Sequence, residues 1–268
     1  MKYLRQLAIA VLAVVSIAAL GAEHIASSGY AEQFRNITNA EPSRAHWLGT
    51  DQLGRDRFAR VVYGTRVSLF LAPSAALFSV FLSALVGGVA GYLGGAVQKV
   101  MMAVTDLFLS LPWFFLLITV RALLPLNVSP IVSVMVTFFL LGMLGWASSA
   151  RVLCAGAAAV RNSEFVLQAR ANGVSGWQIA MHHVLPNLKP LLWAQFCISV
   201  PVFILSEANL GILGLGVSEP LPSWGSLLRE LEDLTAFSGE FWRLAPLIVL
   251  IVVVGSFELL LSRSEVNA

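Results

Sequence analysis

The residues able to do chemistry in this chain are few, and most stand alone in apolar sequence. Asp106, Arg121, Glu207 and Glu258 lie within or beside long hydrophobic runs. Charged groups are expensive in hydrocarbon, so at such positions they face a bundle interior, water or one another. Arg121 and Glu258 each sit near the end of a run, where a side chain can snorkel to the interface. For Asp106, six residues before Pro112, two uses stay open, a bond between helices or a gate. Glu207 shares a stripe with Gly211 and Gly214 at helical spacing, while Phe203, Ile204 and Leu210 read as a lipid-facing side. The stripe suits a water-filled pathway lined by the carboxylate, or a buried hydrogen bond to Ser206, Asn209 or a neighbouring span. No Gly-x-x-x-x-Gly-Lys-Ser/Thr occurs, so the chain carries no P-loop for ATP. Nor is there a His-Glu-x-x-His or a Ser-His-Asp arrangement. His182 and His183 are adjacent and point to different helix faces, and Cys154 and Cys197 are isolated, so neither a metal site nor a disulfide framework follows. The chain reads as a non-enzyme that binds no cofactor of its own.

Membrane helices are the elements that must hold these groups. The sequence is 57% hydrophobic and 12% charged, with a mean hydropathy of +0.80, unlike an ordinary soluble domain. About 20 apolar residues cross a bilayer core as a helix. Six runs qualify, at 4–22, 66–92, 100–124, 128–150, 190–213 and 244–262. They lack the alternation that a membrane β-barrel requires, so the expected fold is all-α and polytopic. The expected division is 1–65, a first span plus a polar segment, and 66–268, a five-span body. Gly87, Gly88, Gly91, Gly94 and Gly95 give overlapping Gly-x-x-x-Gly spacings that let helices approach closely. Lys2 and Arg5 before the first run place the N-terminus in the cytoplasm, whether that run is a cleaved signal peptide or an uncleaved anchor; the small residues before Glu23 make a poor cleavage site, which favours the anchor. With Lys2 and Arg5 counted, the basic residues outside the spans divide evenly between the two sides, eight and eight. The net charge of +2, with no basic aromatic patch, offers nothing to a nucleic acid.

Three stretches break the apolar pattern. Residues 164–187 read Glu164-Phe-Val-Leu-Gln-Ala-Arg-Ala-Asn-Gly173, then Val-Ser-Gly-Trp-Gln-Ile179, and close on Leu185-Pro186-Asn187. The spacing predicts a helix that breaks at Gly173, resumes after Ser175 and stops at Pro186. A membrane protein that holds such a hairpin in water has a soluble partner to dock with it. Upstream, His46-Trp-Leu-Gly49-Thr50-Asp51-Gln-Leu-Gly54-Arg55-Asp56-Arg57 runs on to Arg60, Tyr63 and Arg66. Gly49 to Gly54 is turn chemistry with Asp51 as a cap. Residues 55–63 read as an interfacial helix before the second span, with Asp56 and Arg60 paired across one turn. Downstream, Ser206-Glu207-Ala-Asn-Leu-Gly211-Ile-Leu-Gly214-Leu-Gly216 leads to Pro220-Leu-Pro222-Ser223-Trp224-Gly225, where Ser223 reads as an N-cap.

The 164–187 stretch resembles the EAA loop of ABC-importer permeases. The other two resemble signatures of the dipeptide, oligopeptide and nickel permeases, in particular their "C"-type subunit. Together the matches run from about His46 to Phe257. The resemblance implies a transport subunit of the bacterial inner membrane whose EAA hairpin, in the cytoplasm, receives the stroke of an ATP-hydrolysing partner. It assigns ATPase coupling to Glu164, Ala169, Gly173, Ile179, Leu185 and Pro186, with Glu207 and Asp106 as pathway candidates. Implied partners are a second related permease chain, two ATPase subunits that carry the ATP and magnesium, an extracytoplasmic substrate-binding protein and the lipid bilayer. The implied cargo is a di- or oligopeptide, with nickel or another small solute as the alternative within the family. A secondary transporter, the main competitor, would show repeat symmetry and a helix broken at mid-membrane, and would need no such hairpin. The chain departs from the pattern at Gln168-Ala169, where two small residues are usual, and at His182-His183, where Arg-His is usual. It departs again after Phe257, where Glu258 and a short run to Ala268 replace an Asn and a Gly-Asp-containing tail.

Overall fold

The computed structural model describes residues 2–124, 128–232 and 240–261. Among these, all regular structure is helical apart from one isolated antiparallel bridge between Thr50 and Asp56. The order is α1 (Lys2–Leu20), α2 (Ala22–Ile25), an irregular segment to Asp56, and α3 (Arg57–Ser83), which passes through a π turn (Ala84–Gly88) into α4 (Val89–Leu93). Then come α5 (Gly95–Ser110), α6 (Trp113–Leu123), α7 (Pro130–Leu144) and α8 (Ala147–Arg161). The hairpin follows as α9 (Glu164–Ala171), α10 (Gly176–Ile179) and a second π turn (Ala180–Val184), which opens directly into α11 (Leu185–Ile212). The chain continues with α12 (Trp224–Arg229), 3-10 turns at Glu230–Glu232 and Phe241–Leu244, and α13 (Ala245–Leu261).

Among the described residues, four stretches are long and apolar enough to span a membrane: Tyr3–Leu20, Arg57–Leu93, Gly176–Ile212 and Phe241–Leu260. Two further spans exist only as bent pairs, α5 with α6 at 72° and α7 with α8 at 41°. The six expected runs are all present, two of them broken. The break between α5 and α6 falls where Leu111 is extended (φ −88°, ψ 129°) ahead of Pro112, because a proline ring forces the residue before it out of the helical region. The expected separate interfacial helix at 55–63 does not form. Arg57 to Tyr63 are the first turns of α3 itself, capped by the Asp56 carboxylate, which accepts the Ala59 amide at 3.1 Å.

The chain divides into two compact units, one built from residues 1–73, 120–138 and 201–268 and the other from 74–119 and 139–200. In the first, α1 packs along α13 and otherwise remains uncovered, with 11% of its span buried against 39% for Arg57–Leu93. The core of this unit is Trp224, fully buried, whose indole N–H donates to Thr65 Oγ1 at 3.0 Å. Arg121 does not snorkel as expected. It is 1% exposed and donates to the Ser133 hydroxyl at 2.9 Å and the Gly216 carbonyl at 3.1 Å, which holds the turn after α11 in place.

In the second unit, α8 lies against the first π turn, α4 and α5. Gly87 and Gly91 make this approach possible. A Cβ on Gly87 would collide with the Ala150 carbonyl, and one on Gly91 with the Cys154 carbonyl. The glycine spacing seen in the sequence is thus a backbone-to-backbone seam. Phe78 stacks on Phe139 with centroids 5.5 Å apart, and Phe108 meets Trp146 at 5.4 Å.

Candidate coupling hairpin and ion-paired cluster

The hairpin is built from short helices whose ends are locally specified. Helix α9 ends in a Schellman arrangement, with the Gly173 amide bonded to the Arg170 carbonyl and the Val174 amide to the Ala169 carbonyl. Gly173 has φ +76°, so the glycine is needed for the backbone itself, since a Cβ there would meet nothing within 4 Å. Ser175 then starts α10 with a capping box to Gln178. The expected stop at Pro186 does not occur. Pro186 lies in the first turn of α11, and the chain is helical without a break from Gly176 to Ile212. The π turn at Ala180–Val184 widens the helix just ahead of the ring, which absorbs the missing N–H and the steric clash. The Asn187 amide group donates to the His183 carbonyl at 2.6 Å, replacing part of the lost pairing.

The six hairpin residues assigned by resemblance divide into two groups. Ala169 and Ile179 are buried, 9% and 1% exposed, in a cluster with Ala157, Val166, Val184 and Leu188. Burying each larger aliphatic side chain contributes about 1.5–3 kcal/mol, so this cluster clamps the hairpin onto α8 and the base of α11. The Tyr92 hydroxyl adds a bond to the Gly176 carbonyl at 2.6 Å. Glu164, Gly173, Leu185 and Pro186 are exposed, and Glu164 opens α9 in the first turn, where the helix dipole favours a carboxylate. Sequence reasoning passed over Phe165 and Trp177, which stand 44% and 72% exposed, with Met181 and Leu185 also uncovered, on an otherwise clamped element. Their signal was faint, because aromatic residues attract no notice in a chain this apolar.

The two pathway candidates are held in different ways. Asp106 on α5 accepts from Arg151 on α8, both side chains being half exposed, so the group is a bond between helices. Glu207 is fully buried. Its Oε2 accepts from Ser68 Oγ at 3.0 Å, and that oxygen in turn accepts the Trp224 amide at 3.1 Å. Of the expected partners, the neighbouring span is the one that supplies this bond, through Ser68 on α3. Gly211 and Gly225 bring α11 and α12 together backbone to backbone, and Gly225 leaves room for Glu207 Oε1. Gly214 belongs to the turn after α11, with φ +74°, so the expected three-residue stripe is two helical residues and a turn. Phe203, Ile204 and Leu210, read as lipid-facing, are buried at 2%, 0% and 0%, whereas Trp193, Ile198, Val202 and Leu205 are among the uncovered residues of α11.

A cluster of ion pairs gathers around the start of α3. Asp51 accepts two amides, from Leu53 and Arg55, and pairs with the Arg55 guanidinium at 2.6 Å. Arg60, fully buried, donates to Glu219 and Glu230, both at 3.0 Å, while Arg55 reaches Glu219 at 2.5 Å and Arg57 reaches Glu230 at 3.2 Å. The expected Asp56–Arg60 pair does not form, because Asp56 is occupied by the α3 cap and by His46 Nδ1 at 2.9 Å. Burial pushes both glutamates toward the neutral form. At Glu219 the bonds and charges of Arg60 and Arg55 outweigh it and hold the carboxyl below the ordinary carboxylate value. That stabilisation is present at neutral pH and is lost in acid as pH falls through the lowered value. At Glu230 burial wins over Arg60 and Arg57, and the carboxyl lies above its ordinary value.

Among the described residues the structure is helical, with four to six apolar spans and a clamped, partly apolar hairpin, the build of a multi-pass membrane protein. The chain belongs to the binding-protein-dependent transport system inner membrane component family, whose model matches residues 83–264. Over 206 residues it is 35% identical to the dipeptide transport system permease protein DppC of Bacillus subtilis (strain 168), covering 77% of this chain and 62% of the relative. It is 32% identical to the oligopeptide transport system permease protein OppC of the same organism, over 81% of this chain and 69% of that one. A glutathione transport system permease protein GsiD of Pectobacterium atrosepticum is 30% identical over 73% and 63%. The chain thus spans somewhat under two thirds of the length of the dipeptide relative.

Proposed function

We propose that this chain is the "C"-type permease subunit of an ATP-driven importer of di- or oligopeptides in a bacterial inner membrane. It pairs with a second related permease chain, two ATPase subunits that bind ATP and magnesium, and an extracytoplasmic substrate-binding protein. The 164–187 hairpin faces the cytoplasm and the N-terminus lies on the same side. One observation carries the reading: the hairpin is clamped by a buried cluster yet leaves Phe165, Trp177, Met181 and Leu185 uncovered, in a member of a binding-protein-dependent transport family. A rigid element with an apolar face passes on a partner's movement without absorbing it. Glu164 adds a carboxylate for a basic group on the ATPase. The names of the relatives support peptide as cargo. In this reading Glu207 locks α12 to α3 and α11 beside the pathway, and Asp106 ties α5 to α8.

Two results test the proposal. Trp177→Asp places a charge where an apolar contact is expected, so the ATPase subunits should co-purify far less while the permease accumulates in the membrane at its normal level. Undiminished co-purification and peptide uptake in that variant would remove the hairpin from the interface. For orientation, single cysteines at Asn172 and Glu41, both exposed, in a background without Cys154 and Cys197, should differ toward a membrane-impermeant thiol reagent on intact cells. Glu41→Cys should label and Asn172→Cys should not; labelling of both would reverse the assignment of the hairpin.

A further inference from the structure

Beside the ion-paired cluster, within the first unit, an open pocket of about 460 Å³ has the bases Arg55, Arg57, Arg229 and Arg243 and the acids Asp51, Glu219 and Glu230 on its walls. That volume falls in the range of pockets that take small ligands and exceeds what one docked side chain needs. The charges on the walls are unequally spent. Arg55 is engaged by Asp51 and Glu219, Arg57 by Glu230, and Arg243 by Glu240. Arg229, at the end of α12, is exposed and has no carboxylate partner among the described residues. Its guanidinium lies over Gly214, where a Cβ would come within 2.8 Å of Nη1, so the glycine turn leaves the space the planar group occupies. Glu219 and Glu230 are each bonded to two arginines and do not cancel this remaining charge. Among the described residues, Arg229 is thus the guanidinium on the pocket wall without a carboxylate partner.

We infer that the pocket is a subsite for the free carboxylate of a peptide, with Arg229 as the receiving group. The inference rests on the peptide-importer reading above and on its orientation, which puts the start of α3 and the end of α11 on the side where substrate arrives. A guanidinium meets a carboxylate through two parallel N–H···O bonds, a geometry that an ammonium cannot supply. Arg229 is a specificity-determining residue on this account, and Gly214 positions it.

The test uses the assembled importer in proteoliposomes with its binding protein, and compares uptake of one peptide with a free C-terminus against its C-terminally amidated form. The quantity read is the ratio of the two apparent KM values. The binding protein is common to every arm, so its own preference cancels between variants. Arg229→Gln should raise KM for the free-carboxylate peptide about tenfold relative to the amidated one, the scale of a lost charge-assisted pair. Arg229→Lys should lie between, since it keeps the charge and loses the fork; if the glutamine variant fails to accumulate, the lysine variant carries the test. Equal loss for both peptides would mean a docking or packing role and would overturn the subsite, as would no change in either. Absence of any peptide uptake by the unmodified importer would overturn the importer reading and the subsite together.

Discussion

Gly173→Val should uncouple the permease, cutting ATP-driven uptake steeply while the chain still inserts and accumulates. Space is not the reason, since a side chain at this position would meet nothing within 4 Å. The reason is φ +76° at the end of α9. The left-handed region costs an L-residue about 1–2 kcal/mol, and a β-branched residue fits it worst. One or two kcal/mol shifts a conformational ratio roughly 5- to 30-fold. The Schellman bonds to Arg170 and Ala169 would open, and α10 would no longer be aimed by α9. A ranking follows from backbone preference alone: Asn should be tolerated best, then Ala, with Val worst. Uptake should follow that order when each variant is measured in the assembled complex. Normal uptake by the valine variant would show that the turn does not set the direction of the hairpin.

Gly87→Ala should be the most damaging single methyl in the second unit, while Gly88→Ala, one residue on, should be harmless or stabilising. At Gly87 the new Cβ would strike the backbone carbonyl of Ala150, which cannot rotate away, so the first π turn and α8 would have to separate. Overpacking of this kind costs typically 1–3 kcal/mol. The Gly91 contact with Cys154 would be pulled open with it. At Gly88 a Cβ meets nothing within 4 Å and φ is −60°, so alanine is free to add helix propensity of up to about 1 kcal/mol. Thermal unfolding of the detergent-solubilised chain should show the two variants moving in opposite directions. Equal melting temperatures would mean that the seam is slack enough to absorb a methyl.

Features set by local chemistry were legible in the sequence. The six apolar runs, the turn at Gly173, the restart of the helix after Ser175 and the cap at Ser223 follow from composition and from neighbours a few residues apart, and each is present. Features decided by distant partners were not legible. Asp56 and Arg60 have the spacing of a helical pair, yet Arg60 is taken by Glu219 and Glu230, which lie more than 150 residues further along the chain. The faces of α11 were misassigned because the helix is apolar all round, so no moment in the sequence separates Phe203 from Val202. Pro186 was read as a stop because the usual rule has the ring break the helix; a π turn that accommodates it leaves no mark in the sequence. Arg121 was placed at an interface by its length and position alone, and only the folded chain brings the Gly216 carbonyl to it.

The two units interleave along the chain, and this bears on the order in which the protein can be finished during synthesis. The second unit draws on nothing beyond Val200, so the glycine seam, α8 and the buried cluster that clamps the hairpin can all close while the rest is still being made. The first unit must wait. Among the described helices its α1 is made before the others, but the α13 it packs on is made after them. Glu207, Trp224 and the partners of Arg60 also come late. Until then Arg60 and Ser68, already placed on α3, lack Glu219, Glu230 and Glu207. A ribosome that stalls after residue 200 would leave a nascent chain with a complete hairpin and an Arg60 guanidinium left only Asp51, which Arg55 also claims, a species with good reason to be held by the insertion machinery until the remainder arrives.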